Sequence, residues 1–109
     1  MTINQMAEAL GLRVLTAPEG ERECTGVYIG DLLSWVMGRA QCGDVWITIM
    51  SNINVAAVAS LADVACVLLA EGVVPEEDVI RTAEQKGINL LCAQQPAYEL
   101  AVRLHELGL

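Results

Sequence analysis

Apolar residues recur along the chain in two alternating patterns, short unbroken runs and stripes at helical spacing, separated by Gly, Pro and acidic breaks. Thr2-Ile-Asn-Gln5 has the spacing of a capping box, and Ile3, Met6, Ala7 and Leu10 fall on one helical face before Gly11, which predicts a short first helix. Residues 12–16 read as a short strand, Ala17-Pro-Glu-Gly20 as a turn and Glu21-Arg-Glu23 as a solvated stretch. Gly26-Val-Tyr-Ile-Gly30 reads as a buried strand closing on glycine. Asp31 is then placed to cap a helix whose Leu32, Leu33, Val36, Met37 and Ala40 face inward.

Gly43-Asp44 is a turn before Val45-Trp-Ile-Thr-Ile-Met50, the strongest strand signal in the chain because it is β-branched and aromatic throughout. A loop at 51–54 leads to an alanine-rich helix over 55–62 that stops near Asp63, and Ala65-Cys-Val-Leu-Leu69 is another apolar run of strand length. Glu71-Gly72 breaks it. Pro75 suits a first helical turn, Glu76, Glu77 and Asp78 its positive end, and Gly87 its stop, so a helix is predicted over 75–86. Residues 88–92 form a last short strand. After a loop at 93–95, Pro96 opens a helix with Ala97, Leu100, Ala101, Leu104 and Gly108 on one face. Doubly apolar strands alternating with helices predict an α/β fold: a mostly parallel sheet of four or five strands with helices on both faces, in a single small domain spanning 1–109.

Composition sharpens this picture. Six Lys plus Arg against fourteen Asp plus Glu give a formal charge of -8, which disfavours nucleic acid and anionic membrane surfaces as partners. The apolar share is 54% in 109 residues, a surplus that a homodimer interface would cover. Residues 1–10 have no basic start of the secretory type, and the uncharged stretch over 45–62 is interrupted by Thr48, Ser51, Asn52, Asn54 and Ser60. A cytoplasmic protein without a membrane span is expected. Cys24, Cys42, Cys66 and Cys92 form no close pair of the zinc or iron-sulfur kind, so no metal or other cofactor is expected. Cys66 and Cys92 read as small apolar residues, and Cys24 and Cys42, beside turns, are the two with a redox role open.

Ligands of open parallel sheets bind beyond the carboxyl ends of the strands, here the loops 30–31, 50–54, 70–73 and 93–96. Their polar groups are Asp31, Ser51, Asn52, Asn54, Glu71, Gln94 and Gln95, with Gly72 as the backbone position. No His, Lys or Arg lies in these loops, and neither phosphate-binding glycine motif occurs, so a non-enzymatic binding site is expected. His105 reads as a surface residue. Trp35 and Trp46 read as core or interface residues whose N–H groups need partners.

Taken in order, six stretches resemble the DRTGG domain family: residues 3–15, 26–37, Gly43-Asp-Val-Trp-Ile-Thr48, Glu71-Gly-Val-Val-Pro75, Ala83-Glu-Gln-Lys-Gly-Ile88 and Tyr98-Glu-Leu-Ala-Val-Arg-Leu104. This module is itself similar to the N-terminal domain of HPr kinase/phosphorylase, and the chain looks most like the stand-alone members. The family's Asp-Arg pair would fall near Ser51-Asn52 and its Thr-Gly-Gly at Ala70-Glu71-Gly72, where only Gly72 is kept. The resemblance implies a regulatory or ligand-sensing module that is oligomeric, with no kinase activity. A protein-interaction adaptor without a ligand of its own is the alternative.

Overall fold

The computed structural model describes residues 1–109 and contains five helices and one five-stranded sheet. In chain order these are α1 (Ile3–Leu10), β1 (Arg13–Thr16), β2 (Gly26–Ile29), α2 (Leu33–Arg39), β3 (Asp44–Thr48), α3 (Asn54–Ala62), β4 (Cys66–Leu69), α4 (Glu77–Gln85), β5 (Leu90–Cys92) and α5 (Ala97–Glu106). The sheet order is β1-β5-β4-β3-β2, with β2 through β5 mutually parallel and β1 antiparallel to β5. The α/β sandwich expected from the apolar pattern is the architecture observed.

The capping box at the start of α1 is complete. Thr2 Oγ1 accepts from the Gln5 N–H at 3.1 Å, and the Thr2 N–H donates to Gln5 Oε1 at 2.9 Å. Gly11 ends the helix in the left-handed conformation at φ 65°.

Central strands β3, β4 and β5 are buried along their whole length, which is why they read as continuous apolar runs. Alternate side chains feed two cores. On one face Val45, Ile47, Cys66, Leu68 and Leu91 pack beneath α1 and α5 through Ile3, Met6, Leu100 and Leu104. On the other, Trp46, Val67, Leu69 and Leu90 pack beneath α2, α3 and α4 through Val36, Val55, Ala59 and Ala83. Each fully buried large side chain contributes about 1.5–3 kcal/mol relative to exposure.

Three local expectations are corrected. The 26–30 segment is not a buried central strand. It is the free edge β2, half-buried with Ile29 exposed. The stripe on α2 does not all face inward: only Val36 is buried, while Leu32 and Met37 are exposed, because a helix over an edge strand has little sheet beneath its outer half. Asp31 does not cap α2 either. The helix starts two residues later, with Leu32 at the cap position and no side-chain cap.

Candidate functional site

All four loops predicted from the strand-end rule do lie at the carboxyl ends of the parallel strands. They divide into two groups, and no single cavity gathers all eight candidate residues.

The first group joins the ends of β2 and β3. Asp31 Oδ1 accepts from Thr48 Oγ1 at 2.8 Å and from the Ile49 N–H at 3.0 Å, and Thr48 Oγ1 in turn accepts from the Met50 N–H at 3.1 Å. This carboxylate is a clamp between neighbouring strand ends. Asn52 Oδ1 accepts from the Asn54 N–H at 2.9 Å, a local turn that starts α3. Ser51, Asn52 and Asn54 line no cavity.

The second group joins β4 to β5. Glu71 and Gly72 both take left-handed backbone, at φ 61° and 75°. This bend lets the Glu71 N–H donate to Gln95 O at 2.9 Å and the Gly72 N–H donate to Ala93 O at 2.8 Å. A side chain at 72 would also meet Gln94, since a Cβ there would lie 2.8 Å from Gln94 Oε1. Of the eight residues named from the loops, Glu71, Gly72, Gln94 and Gln95 are brought together, while Asp31 and residues 51–54 stand apart. Glycine at 72 satisfies the conformation and the close approach at once.

Beside this second group lies a groove of about 190 Å³ lined by Arg13, Val74, Cys92, Gln94 and Gln95, among others. Arg13 is the residue that reading the loops missed. It belongs to β1, and because β1 runs antiparallel to β5 its first residue pairs with Cys92, the last residue of β5. A strand running the opposite way starts where its neighbour ends. The rim that has no cation in its loops therefore receives one from a strand. Arg13 is exposed and takes part in neither of the chain's two ion pairs, Met1 N-terminus with Glu23 and Arg22 with Asp63. Cys92 is nearly enclosed, and burial pushes its thiol up while Arg13 opposes the shift, so the groove wall there is neutral at physiological pH. The Gln94 and Gln95 N–H groups have no backbone acceptor and flank the same opening.

The largest cavity, about 600 Å³, sits at the opposite end of the sheet among Glu19, Arg22, Ser60, Asp63, Lys86 and Asn89. The strand-end rule points away from it. Two of its charged groups engage each other, Arg22 donating to Asp63 Oδ1 at 2.9 Å, to Asp63 O at 2.7 Å and to Val64 O at 3.2 Å, while the Glu19 carboxylate and the Lys86 ammonium make no ion pair. Asn89 uses both ends of its amide on Glu19 and on Ala65 O. This is a structural corner built at the ends of α3 and α4.

Cys24, Cys66 and Cys92 are buried, and burial raises all three thiols. Cys42 is exposed, but its Sγ donates to Asp63 Oδ2 at 3.0 Å, and this bond to a carboxylate raises its pKa also. No group of three metal-ligating side chains is assembled. His105 is exposed, as expected. No helix is long and apolar enough to cross a membrane.

A mostly parallel sheet between two helical layers, with polar loops and one borrowed arginine at the carboxyl rim, defines a small α/β module. Residues 5–107 match the DRTGG domain, and the chain belongs to that family. Its fold is similar to a crystal structure of the CBS and DRTGG domains of the regulatory region of Clostridium perfringens pyrophosphatase, in complex with the activator diadenosine tetraphosphate. The TM-score is 0.74 at 13% identity, over 94% of this chain and 45% of that one. No curated protein matches the sequence.

Proposed function

We propose that this chain is a cytoplasmic, non-enzymatic regulatory module that homodimerises and senses a small anionic metabolite at the carboxyl rim of its sheet. One observation carries the reading: an unpaired guanidinium, Arg13, stands over a groove bordered by the amides of Gln94 and Gln95, in a chain of charge -8. A guanidinium with free N–H donors around it recognises carboxylate or phosphoryl oxygens by charge-assisted hydrogen bonds. The Glu71-Gly72 bend packs against the 93–95 loop and would transmit occupancy of the groove to β4. At about 190 Å³ the groove is below the usual range of about 300–1,000 Å³ for drug-sized ligands and suits a carboxylic acid or a phosphoryl head group. The similar pyrophosphatase region, regulatory and bound to a phosphate-rich activator, supports the class of role.

Native mass spectrometry of freshly purified protein reports assembly state and any retained small molecule together. Titration with inorganic phosphate and with succinate, followed by amide NMR, should move the Arg13, Gln94 and Gln95 resonances, and Arg13→Gln should weaken the response at least about tenfold. Equal response in the variant would overturn the site. The adaptor alternative is favoured by the exposed apolar residues around β2 and α2. Specific retention of one protein partner with no bound metabolite would support it.

A further inference from the structure

The two edges of the sheet are built differently, and the difference points to one surface. Edge strand β1 carries the charged Arg13 and an irregularity in its pairing between Val14 and Thr16, two devices that discourage a further strand from adding. Edge strand β2, Gly-Val-Tyr-Ile, has no charge, no proline and no bulge, and its pairing with β3 is regular at every residue. No strand lies on its outer side.

Both helices that flank this edge leave apolar side chains in water. On the α2 side Leu32 is 57% exposed, Trp35 52% and Met37 48%, while across the sheet α5 packs against β2 and exposes Tyr98 and Val102, and Ile29 is exposed at the edge itself. Large side chains offer about 150–250 Å² each, so these six expose on the order of 600 Å². That is most of the roughly 800 Å² that a stable interface takes from each partner, before any backbone of β2 is counted.

Charge selects the occupant. From 26 to 38 the only charged side chain is Asp31, and that carboxylate is turned onto Thr48 and Ile49. Two chains of charge -8 repel each other over most of their surfaces, and this band, where the nearest further charge is the Arg39 guanidinium stacked on Trp35, is where they can meet. A short regular edge is also self-complementary: rotated about a twofold axis, β2 pairs antiparallel with its own copy.

We infer that the occupant is a second copy of this chain, joined β2 to β2 so that two five-stranded sheets become one continuous sheet, with α2 and α5 of each copy closing over the seam. This rests on the homodimeric part of the function proposed above and is independent of the ligand groove. It leaves that groove, on the far side of the sheet order beside β1 and β5, open in both copies.

Sedimentation velocity across about 1–100 μM tests the surface with Ile29→Lys combined with Trp35→Lys. Lysine is chosen because it reduces the net negative charge of the chain, so that any dissociation arises at the seam itself and not from greater overall repulsion. Val14→Lys on the other edge is the control, and circular dichroism verifies that each variant is folded. The dimer dissociation constant should rise at least about tenfold in the double variant and stay within about twofold in the control. Amide exchange over Gly26–Ile29 should slow as wild-type concentration rises. A wild-type monomer throughout the range would overturn both the dimer and this surface. A dimer that the double variant leaves intact would overturn the surface alone.

Discussion

Replacing Asn89 with alanine should cost roughly 3 kcal/mol, far more than its small volume suggests. The side chain is 2% exposed and makes three hydrogen bonds: Nδ2 to Glu19 O and to Ala65 O, both 2.9 Å, and Oδ1 from the Glu19 N–H at 3.0 Å. It ties the β1–β2 connection to the entries of β4 and β5. Each bond contributes about 1 kcal/mol net, but the losses are unequal, since a buried group left without a partner costs about 1–3 kcal/mol. Glu19 is exposed, so water can replace Asn89 there. Ala65 is buried, so its carbonyl loses a donor that water can replace only by entering from the large cavity into the space the Asn89 side chain leaves. Urea unfolding measures the difference, and the slope should stay constant because the surface exposed on unfolding is unchanged. For a domain near this size the midpoint of thermal unfolding should fall by roughly 10–20 °C. Asn89→Asp supplies the check: it keeps the acceptor for Glu19 but points a carboxylate at two carbonyls, so it should be at least as damaging. A loss below about 1 kcal/mol for alanine, or a milder effect for aspartate, would refute the account.

Gly72→Ala should cost about 1–2 kcal/mol from the left-handed backbone and displace Gln94, read by thermal melting and by the Gln94 amide resonance; an unshifted resonance would count against the close approach. Asp31→Ala should destabilise by about 1–3 kcal/mol by stranding Thr48 Oγ1, which is buried, whereas Asp31→Asn retains an acceptor and should be milder; equal losses would show that charge and not the clamp matters. Cys42 should alkylate more slowly than a free thiol at mildly alkaline pH, and Asp63→Asn should accelerate it; equal rates would sink the Cys42–Asp63 contact. The hydrogen bond from Cys42, and after it Arg22, holds the Asp63 carboxyl below its ordinary range. Its contribution is therefore present above the unfolded-state value and is lost as pH falls through the folded one. Asp63→Asn should remove that part of the acid sensitivity below about pH 4, measured by urea titration across pH.

The sheet was legible because β3, β4 and β5 are buried on both sides, which leaves unbroken apolar runs such as Cys66-Val-Leu-Leu69. Edges were less so. Nothing in Gly26-Val-Tyr-Ile29 distinguishes a bare edge from a central strand, since hydrophobicity alone does not say whether a neighbour exists. The same lack misplaced Leu32 and Met37, whose helical spacing is correct but whose inner face overhangs the sheet. At the rim, loop sequences located Glu71, Gly72, Gln94 and Gln95, because strand ends and turn residues are local signals. Arg13 was invisible for the converse reason: its place depends on the direction of β1 relative to β5, a long-range property. The only hint was a single basic residue near the start of a mostly apolar segment, Leu12-Arg-Val-Leu-Thr16.

The two tryptophans give the molecule a pair of built-in optical probes. Trp46 is fully enclosed and its indole N–H donates to Gly30 O at 2.9 Å, whereas Trp35 stands in water with the Arg39 guanidinium 3.7 Å from the centre of its ring. Native emission therefore mixes a blue component from the interior with a red one from the surface. Acrylamide should quench the red component first, and shielding of Trp35 would report an event at the α2 surface while Trp46 stays silent until the sheet itself comes apart.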